Sequence, residues 1–259
     1  MRLLRIIRGL GGNGSTFICR VIATMEKVVL LSETNPQSAN LFSFALNPVT
    51  QIAKNYPHLN TGFFTGNMVE LGSPKLFGEY VNGLLTECEL IGHNLVIRDY
   101  NYVDYIGTPL VWPASQKSSL DVALKNLITR EILLVRHPID QYQSLISHPE
   151  LRNALDNKEF LKGYRLLLEN HMVARMIKFE DLFLSFDQVM RDIATHLLLN
   201  VNPAQKTLIP SVDWVTGHEF GKTSTKPESI QRHLNSEMLD LFRPLDDYQE
   251  ICKACGYEP

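Results

Sequence analysis

The stretch GLGGNGST, Gly9 to Thr16, follows the apolar run LLRIIR (residues 3–8) and precedes a segment with helical patterning. A strand, a glycine turn and a helix start, in that order, make an anion site. Glycines let the backbone come close to a phosphate, and the free N–H groups and dipole of the helix attract negative charge. The letters satisfy two motifs unequally. Gly9, Gly11 and Gly14 match the dinucleotide fingerprint GxGxxG, and Glu33 stands where that fingerprint places an acid, about 20 residues on, at the end of the second strand. The NTPase loop GxxxxGK[ST] needs a lysine where Ser15 stands, so the charge that reaches the β- and γ-phosphates is missing.

Outward from the loop, strands and helices alternate. KVVLLSE (27–33), HNLVIRD (93–99), REILLVRHP (130–138) and ARMIKF (174–179) are short, nearly all-apolar strands. Helical patterning falls at 15–25, near 40–55 and 75–90, from about Ser118, and at 139–147, 157–172 and 185–199. A last helix is expected over 227–255, broken at Pro244. Buried strands alternating with helices predict an α/β fold with a mostly parallel central sheet flanked by helices. No repeat or linker divides the chain, so residues 1–259 are expected to form one domain.

The 259 residues are 44% hydrophobic and 20% charged, with a formal net charge of −3, as in an ordinary globular protein with a sizeable core. Without a basic stripe, no nucleic-acid partner is expected. The N-terminus lacks the apolar core and cleavage site of a signal peptide, and no apolar run approaches the ~20 residues that span a bilayer. The expectation is a cytoplasmic protein with no membrane partner. Of four cysteines, only Cys252 and Cys255 form a CxxC, without the second pair a zinc site needs. They are expected to be structural, and no metal is expected. Oligomeric state is not readable.

EILLVRHPIDQYQSL (131–145) puts Arg136 at a strand end and Ser144 eight residues later, inside the next helix. That spacing, a little over two turns, brings the serine hydroxyl back under the guanidinium fork, an arrangement suited to one phosphate. A dinucleotide fold has no use for this pair.

VRHPIDQYQS resembles the R-x-P-x-D-x-x-x-S stretch of sulfotransferases that use 3′-phosphoadenosine 5′-phosphosulfate (PAPS). GNGSTF is similar to that family's 5′-phosphosulfate loop, and ARMIKFEDLFLSFDQVMRDIATHLLL (174–199) to its short strand, Glu-Asp-Leu turn and helix. GKTSTKPESIQRHL (221–234) looks like the late loop and helix that close over the nucleotide, and the tail GYEP has the same flavour. These blocks follow in family order across nearly the whole chain. The resemblance implies a P-loop-like three-layer sandwich that binds PAPS and its product adenosine 3′,5′-bisphosphate (PAP) without a metal. It implies that Arg136 and Ser144 hold the 3′-phosphate, that Gly11, Gly12, Asn13, Gly14, Ser15 and Thr16 hold the 5′-phosphosulfate, and that Lys222 and Thr223 lie in the closing loop. The sequence departs from the family at one point. Gly12 stands where the loop normally carries a lysine or arginine.

Sulfuryl transfer needs a base for the acceptor proton and a cation for charge growing on the leaving phosphate. Glu33 is the preferred base and Asp99 the competitor. Arg98 is the preferred substitute cation, ahead of Arg8 and Lys222, because the ends of parallel strands converge on one crevice. Tyr100, Tyr102, Tyr105 and Trp112 offer aromatic faces that suit a small-molecule or carbohydrate acceptor, and equally a packed loop covering the sheet edge. Two alternatives stand beside this reading: a degenerate relative that binds nucleotide without catalysis, and an NAD(P)-dependent oxidoreductase built on GxGxxG and Glu33.

Overall fold

Five parallel strands form one sheet in the order β2-β3-β1-β4-β5, with the glycine loop leaving its central strand. The computed structural model of the chain describes residues 2–41, 45–59, 73–111, 113–217 and 236–259. The strands are β1 (Leu3–Arg8), β2 (Val28–Leu31), β3 (Asn94–Arg98), β4 (Ile128–Val135) and β5 (Arg175–Lys178). In register, Ile7 of β1 sits between Arg98 of β3 and Ile132 of β4.

Side chains alternate across the sheet, as a pleat requires. Ile7, Val28, Leu30, Val96, Ile132 and Leu134 face α1 (Ser15–Ala23) and α10 (Asp181–Leu197). The opposite face is covered in two parts. Leu4, Ile6, Val29, Leu31, Leu95 and Ile97 pack against α3 (Pro48–Asn55), α4 (Pro74–Leu90) and α6 (Ser119–Leu124), with the short α2 (Ser38–Leu41) nearby in sequence. Leu133 and Val135 pack against α5 (Asn101–Tyr105), α7 (Pro138–Ile146), α9 (Asn157–Asn170), α12 (Ser236–Phe242) and α13 (Asp246–Cys255). The short helices α8 (Pro149–Arg152) and α11 (Gln205–Leu208), the latter followed by a 3-10 turn at Ile209–Ser211, complete the described elements. Helices on both faces of a parallel sheet make the three layers expected.

The strand order decides between the two glycine motifs. A dinucleotide fold sets its second strand beside its first. Here β3 lies between β1 and β2, so the oxidoreductase expectation is withdrawn. The chain moves one way across the sheet from β1 to β2 and the other way from β3 to β4. Such a reversal opens a crevice beyond the carboxyl ends of the strands, next to β1.

Boundaries moved by a few residues. Strand β4 ends at Val135, before His137 and Pro138 cap and start α7. Helix α10 starts at Asp181 rather than 185 and is kinked at Ser185, whose φ is −150°. The 227–255 helix is two helices where described, parted around Pro244; residues 227–235 lie outside the described residues. All four cysteines are buried thiols, and Cys252 and Cys255 pack in α13. Burial pushes the Cys255 thiol up to about 12.

Candidate active site

The glycine loop is held from behind by two asparagines. The Gly9 N–H donates to Asn101 Oδ1 at 3.1 Å. Asn13 donates through Nδ2 to Leu134 O at 3.0 Å and accepts from the Ser15 N–H at 3.1 Å. Asn13 was expected to touch the nucleotide, but the residue is only 1% exposed and its amide ties Leu134 of β4 to the Ser15 N–H, which leaves only its backbone N–H for such a contact. It is a staple, because a loop this short must satisfy its own buried polar groups. Gly14 caps α1 with φ 79°, and a Cβ there would sit 2.0 Å from Phe179 Cε2. Ser15 is buried and Thr16 half-buried, on the first turn of α1.

Arg136 and Ser144 both lie against Gly12. Arg136 Nη1 donates to Gly12 O at 2.9 Å, and a Cβ on Gly12 would lie 3.3 Å from Ser144 Cβ. The arginine backbone is clamped by Tyr164, whose hydroxyl donates to Arg136 O at 2.8 Å and accepts from its N–H at 3.1 Å. Its guanidinium lies over the Phe179 ring, 5.1 Å from the centroid. Burial lowers the Arg136 pKa, and the more distant Asp140 and Glu180 pull it back. Among the described residues no carboxylate forms an ion pair with it. A half-buried guanidinium at the loop, with no ion pair among the described residues, suits an anionic ligand.

A second cluster stands at the ends of β2 and β3. Arg98 Nη2 donates to Glu33 Oε1 at 2.8 Å. Arg98 Nη1 donates to Thr216 O at 2.9 Å and to Thr16 Oγ1 at 3.4 Å. Ser32 Oγ and Thr216 Oγ1 lie 2.8 Å apart. Preferred base and preferred cation are thus ion-paired beside the first turn of α1. Tyr100 belongs here too: burial, then the Glu33 carboxylate, pushes its hydroxyl up. Its ring stacks on Tyr102, 6.2 Å between centroids.

Asp99 is placed differently from its neighbours in sequence. Its Oδ2 accepts from Arg8 and Asn101, and its Oδ1 from Asn35. Burial raises its carboxyl to about 6 despite Arg8. Arg8 is fully enclosed by Asp99, Asp121, Glu131 and the Ser118 hydroxyl; burial alone would lower its pKa, but the three carboxylates outweigh it and raise it. Both expected roles are corrected on this geometry. The Arg8–Asp99 network lies behind the loop and reaches it through Asn101, while Arg8 has no charge to spare. Tyr102 and Tyr105 also leave the expected acceptor wall, since both are buried in the core and bond Thr108 O and His171. Trp112, Lys222 and Thr223 lie outside the described residues.

No family model matches the sequence, and no curated protein matches it. Solved structures do. The sulfotransferase domain from the curacin biosynthetic pathway aligns over 98% of this chain and 97% of its own, with a TM-score of 0.57 at 14% identity. The sulfotransferase domain from the Synechococcus PCC 7002 olefin synthase aligns over 99% and 95%, with a TM-score of 0.51 at 14% identity. The fold is that of a sulfotransferase domain.

Within this sulfotransferase fold, the glycine loop, the Arg136–Ser144 pair and the Glu33–Arg98 pair occupy neighbouring carboxyl ends of β1, β4, β2 and β3. Sequence reasoning missed Asn101, Thr216, Tyr164 and Phe179. Phe179 lies in the quoted KFEDL block, a usable signal; Thr216, in a loop-rich stretch, carries none. Among the described residues no cluster of three or more His, Cys, Asp or Glu is arranged for a metal, and no helix is long and apolar enough to cross a membrane.

Proposed function

We propose that the protein transfers a sulfuryl group from PAPS to a hydroxyl or amine of a small-molecule or carbohydrate acceptor. The observation that carries the proposal is Arg136, half-buried with no ion pair among the described residues and bonded to Gly12 of the loop, against which Ser144 also lies. The cradle fits a nucleotide bearing two separated anionic groups. Arg136 and Ser144 would hold the 3′-phosphate, and the loop N–H groups with the start of α1 the 5′-phosphosulfate. PAPS supplies an activated sulfuryl group. The acceptor oxygen or nitrogen bonds to sulfur as the bond from sulfur to the bridging phosphate oxygen breaks, and PAP departs with that electron pair. Glu33 takes the acceptor proton, and Arg98 offsets the charge growing on the bridging oxygen.

A thermal-shift panel of PAP, NAD, NADP and ATP tests the reading. A native-state ligand at ~100 times its Kd adds about 2.7 kcal/mol, a rise in Tm of roughly 5–10 °C for a chain this size. PAP is expected to give that rise and NAD none; the reverse result overturns the proposal. A binding-only protein is the second reading, favoured by Gly12 at the cation position and by an Arg98 already tied to Glu33. PAP binding without transfer across a broad acceptor panel selects it.

A further inference from the structure

Three successive carbonyls of the glycine loop are tied to one side. Gln141 Nε2, on α7, donates to Gly11 O at 2.8 Å and to Leu10 O at 3.3 Å, and Arg136 Nη1 donates to Gly12 O at 2.9 Å. The loop peptides are trans. In a trans peptide a carbonyl and the following N–H point to opposite sides. The N–H groups of Gly11, Gly12 and Asn13 therefore turn away from α7. Among the described residues none accepts a hydrogen bond from these three groups. Successive N–H groups presented together form an anion-binding concavity.

Neither asparagine sets these planes, because Asn101 holds Gly9 N–H and Asn13 reaches Leu134 O. Gln141 does. Its side chain is 1% exposed, and its Oε1 is buried with no donor among the described residues. A buried acceptor left unmade costs stability, a cost the amide carries while its Nε2 satisfies two loop carbonyls. The amide is thus a poor choice for packing and a good one for orienting Leu10 and Gly11.

We propose that Gln141 is a positioning residue, fixing the Leu10 and Gly11 peptides so that the Gly11 and Gly12 N–H groups face an anionic group of the donor. This rests on the PAPS reading above. The test compares wild type with Q141M, which keeps the length without the amide, and with Q141E. PAP affinity is measured by calorimetry and Tm on the ligand-free proteins. Q141M is expected to bind PAP roughly 10-fold more weakly, the loss of one or two oriented hydrogen bonds, beside a modest fall in Tm because the Leu10 and Gly11 carbonyls lose their donor. Q141E at pH 7 turns acceptors toward two carbonyls and should bind more weakly still. Its deficit relative to wild type should narrow at acid pH, where the protonated carboxyl donates again. Full PAP affinity in Q141M with a lowered Tm makes Gln141 merely structural and overturns the inference. A Q141E deficit that stays constant with pH also overturns it. A wild type that does not bind PAP overturns the PAPS reading instead, a result distinct from both.

Discussion

Arg98 Nη2 lies 2.8 Å from Glu33 Oε1, and Nη1 of the same guanidinium reaches Thr16 Oγ1 at 3.4 Å on the first turn of α1. One side chain thus joins the ends of β2 and β3 to the helix that the glycine loop opens. A cation fixed there stands beside the first turn of α1, while the loop, with Gly12, carries no charge of its own. Its partner, Glu33, has φ 53°, a backbone conformation that a non-glycine residue holds only when its surroundings fix it.

Arg98→Ala is accordingly expected to lower turnover by about 10²–10³ with little change in PAP affinity, the usual cost of removing one preorganised stabiliser. Glu33→Gln keeps the shape and should also cut turnover while PAP binds as before. Single-turnover assays beside PAP titrations separate the two quantities. Normal turnover in Arg98→Ala ends the substitute-cation assignment.

Arg136→Ala should weaken PAP more than an analogue lacking the 3′-phosphate. A charge-assisted hydrogen bond contributes ~1.5–3 kcal/mol, or roughly 10- to 150-fold. Because Arg136 forms no ion pair among the described residues, the variant leaves no carboxylate stranded. Ser144→Ala should show the same preference more mildly. Equal losses for both ligands would detach this pair from the 3′-phosphate.

The layers and the sheet were readable because each strand is a short apolar run bounded by turn residues, as in VVLL of β2 and EILLV within β4. The order of those strands was not, since periodicity says which residues are buried and nothing about neighbours. That is why GxGxxG with Glu33 remained open until β3 was found between β1 and β2. Arg136 and Ser144 could be paired in advance because their spacing is local to one strand–helix junction. Arg98 and Asp99 could not be told apart. Adjacent strand-end residues point to opposite sides of the sheet, and only long-range partners show that one faces Glu33 and the other Arg8. Asn13 and Gln141 serve the loop through backbone atoms of Leu134, Leu10 and Gly11, contacts that leave no mark on composition or spacing.

The buried Arg8 network gives acid sensitivity. Burial pushes the Glu131 carboxyl up, but hydrogen bonds from His171 and Arg8, with the Arg8 charge, outweigh it and hold the group down at about 2, against an ordinary value of 4.5. A carboxyl that is more acidic in the folded chain stabilises it fully above pH 4.5 and loses that contribution as pH falls toward 2. The linked amount is about 3 kcal/mol at most. Glu131→Gln should be less stable than wild type at pH 7, with the gap narrowing between pH 4.5 and 2 in urea titrations. Asp99 works in the opposite direction. Burial raises its carboxyl to about 6, so its contribution is greatest below its unfolded value near 3.8 and fades as pH rises through 6. Asp99→Asn should remove that second slope. A pH-independent gap for Glu131→Gln would separate the residue from the acid transition.

Phe179 leaves no room for a side chain at Gly14, and the coupling of the two can be measured. Gly14 holds φ 79° at the start of α1, a conformation that costs an alanine about 1–2 kcal/mol. An added Cβ would lie 2.0 and 2.2 Å from Phe179 Cε2 and Cδ2, so the ring must move. Overpacking of this kind costs roughly 1–3 kcal/mol more. The same ring lies under the Arg136 guanidinium, so its displacement should weaken PAP as well as the fold. Gly14→Ala is therefore expected to lose about 2–5 kcal/mol of stability and to bind PAP more weakly. Phe179→Ala alone should lose about 3–5 kcal/mol through the cavity it leaves. In the double variant the clash has no partner, because the ring that blocked the new methyl is gone. The two losses should then sum to about 0.5–3 kcal/mol less than their separate values. The backbone share of the Gly14 loss remains, since removing Phe179 does nothing for a positive φ. Denaturant titrations of the four proteins close the cycle, and strict additivity would mean that the loop and the ring do not press on each other.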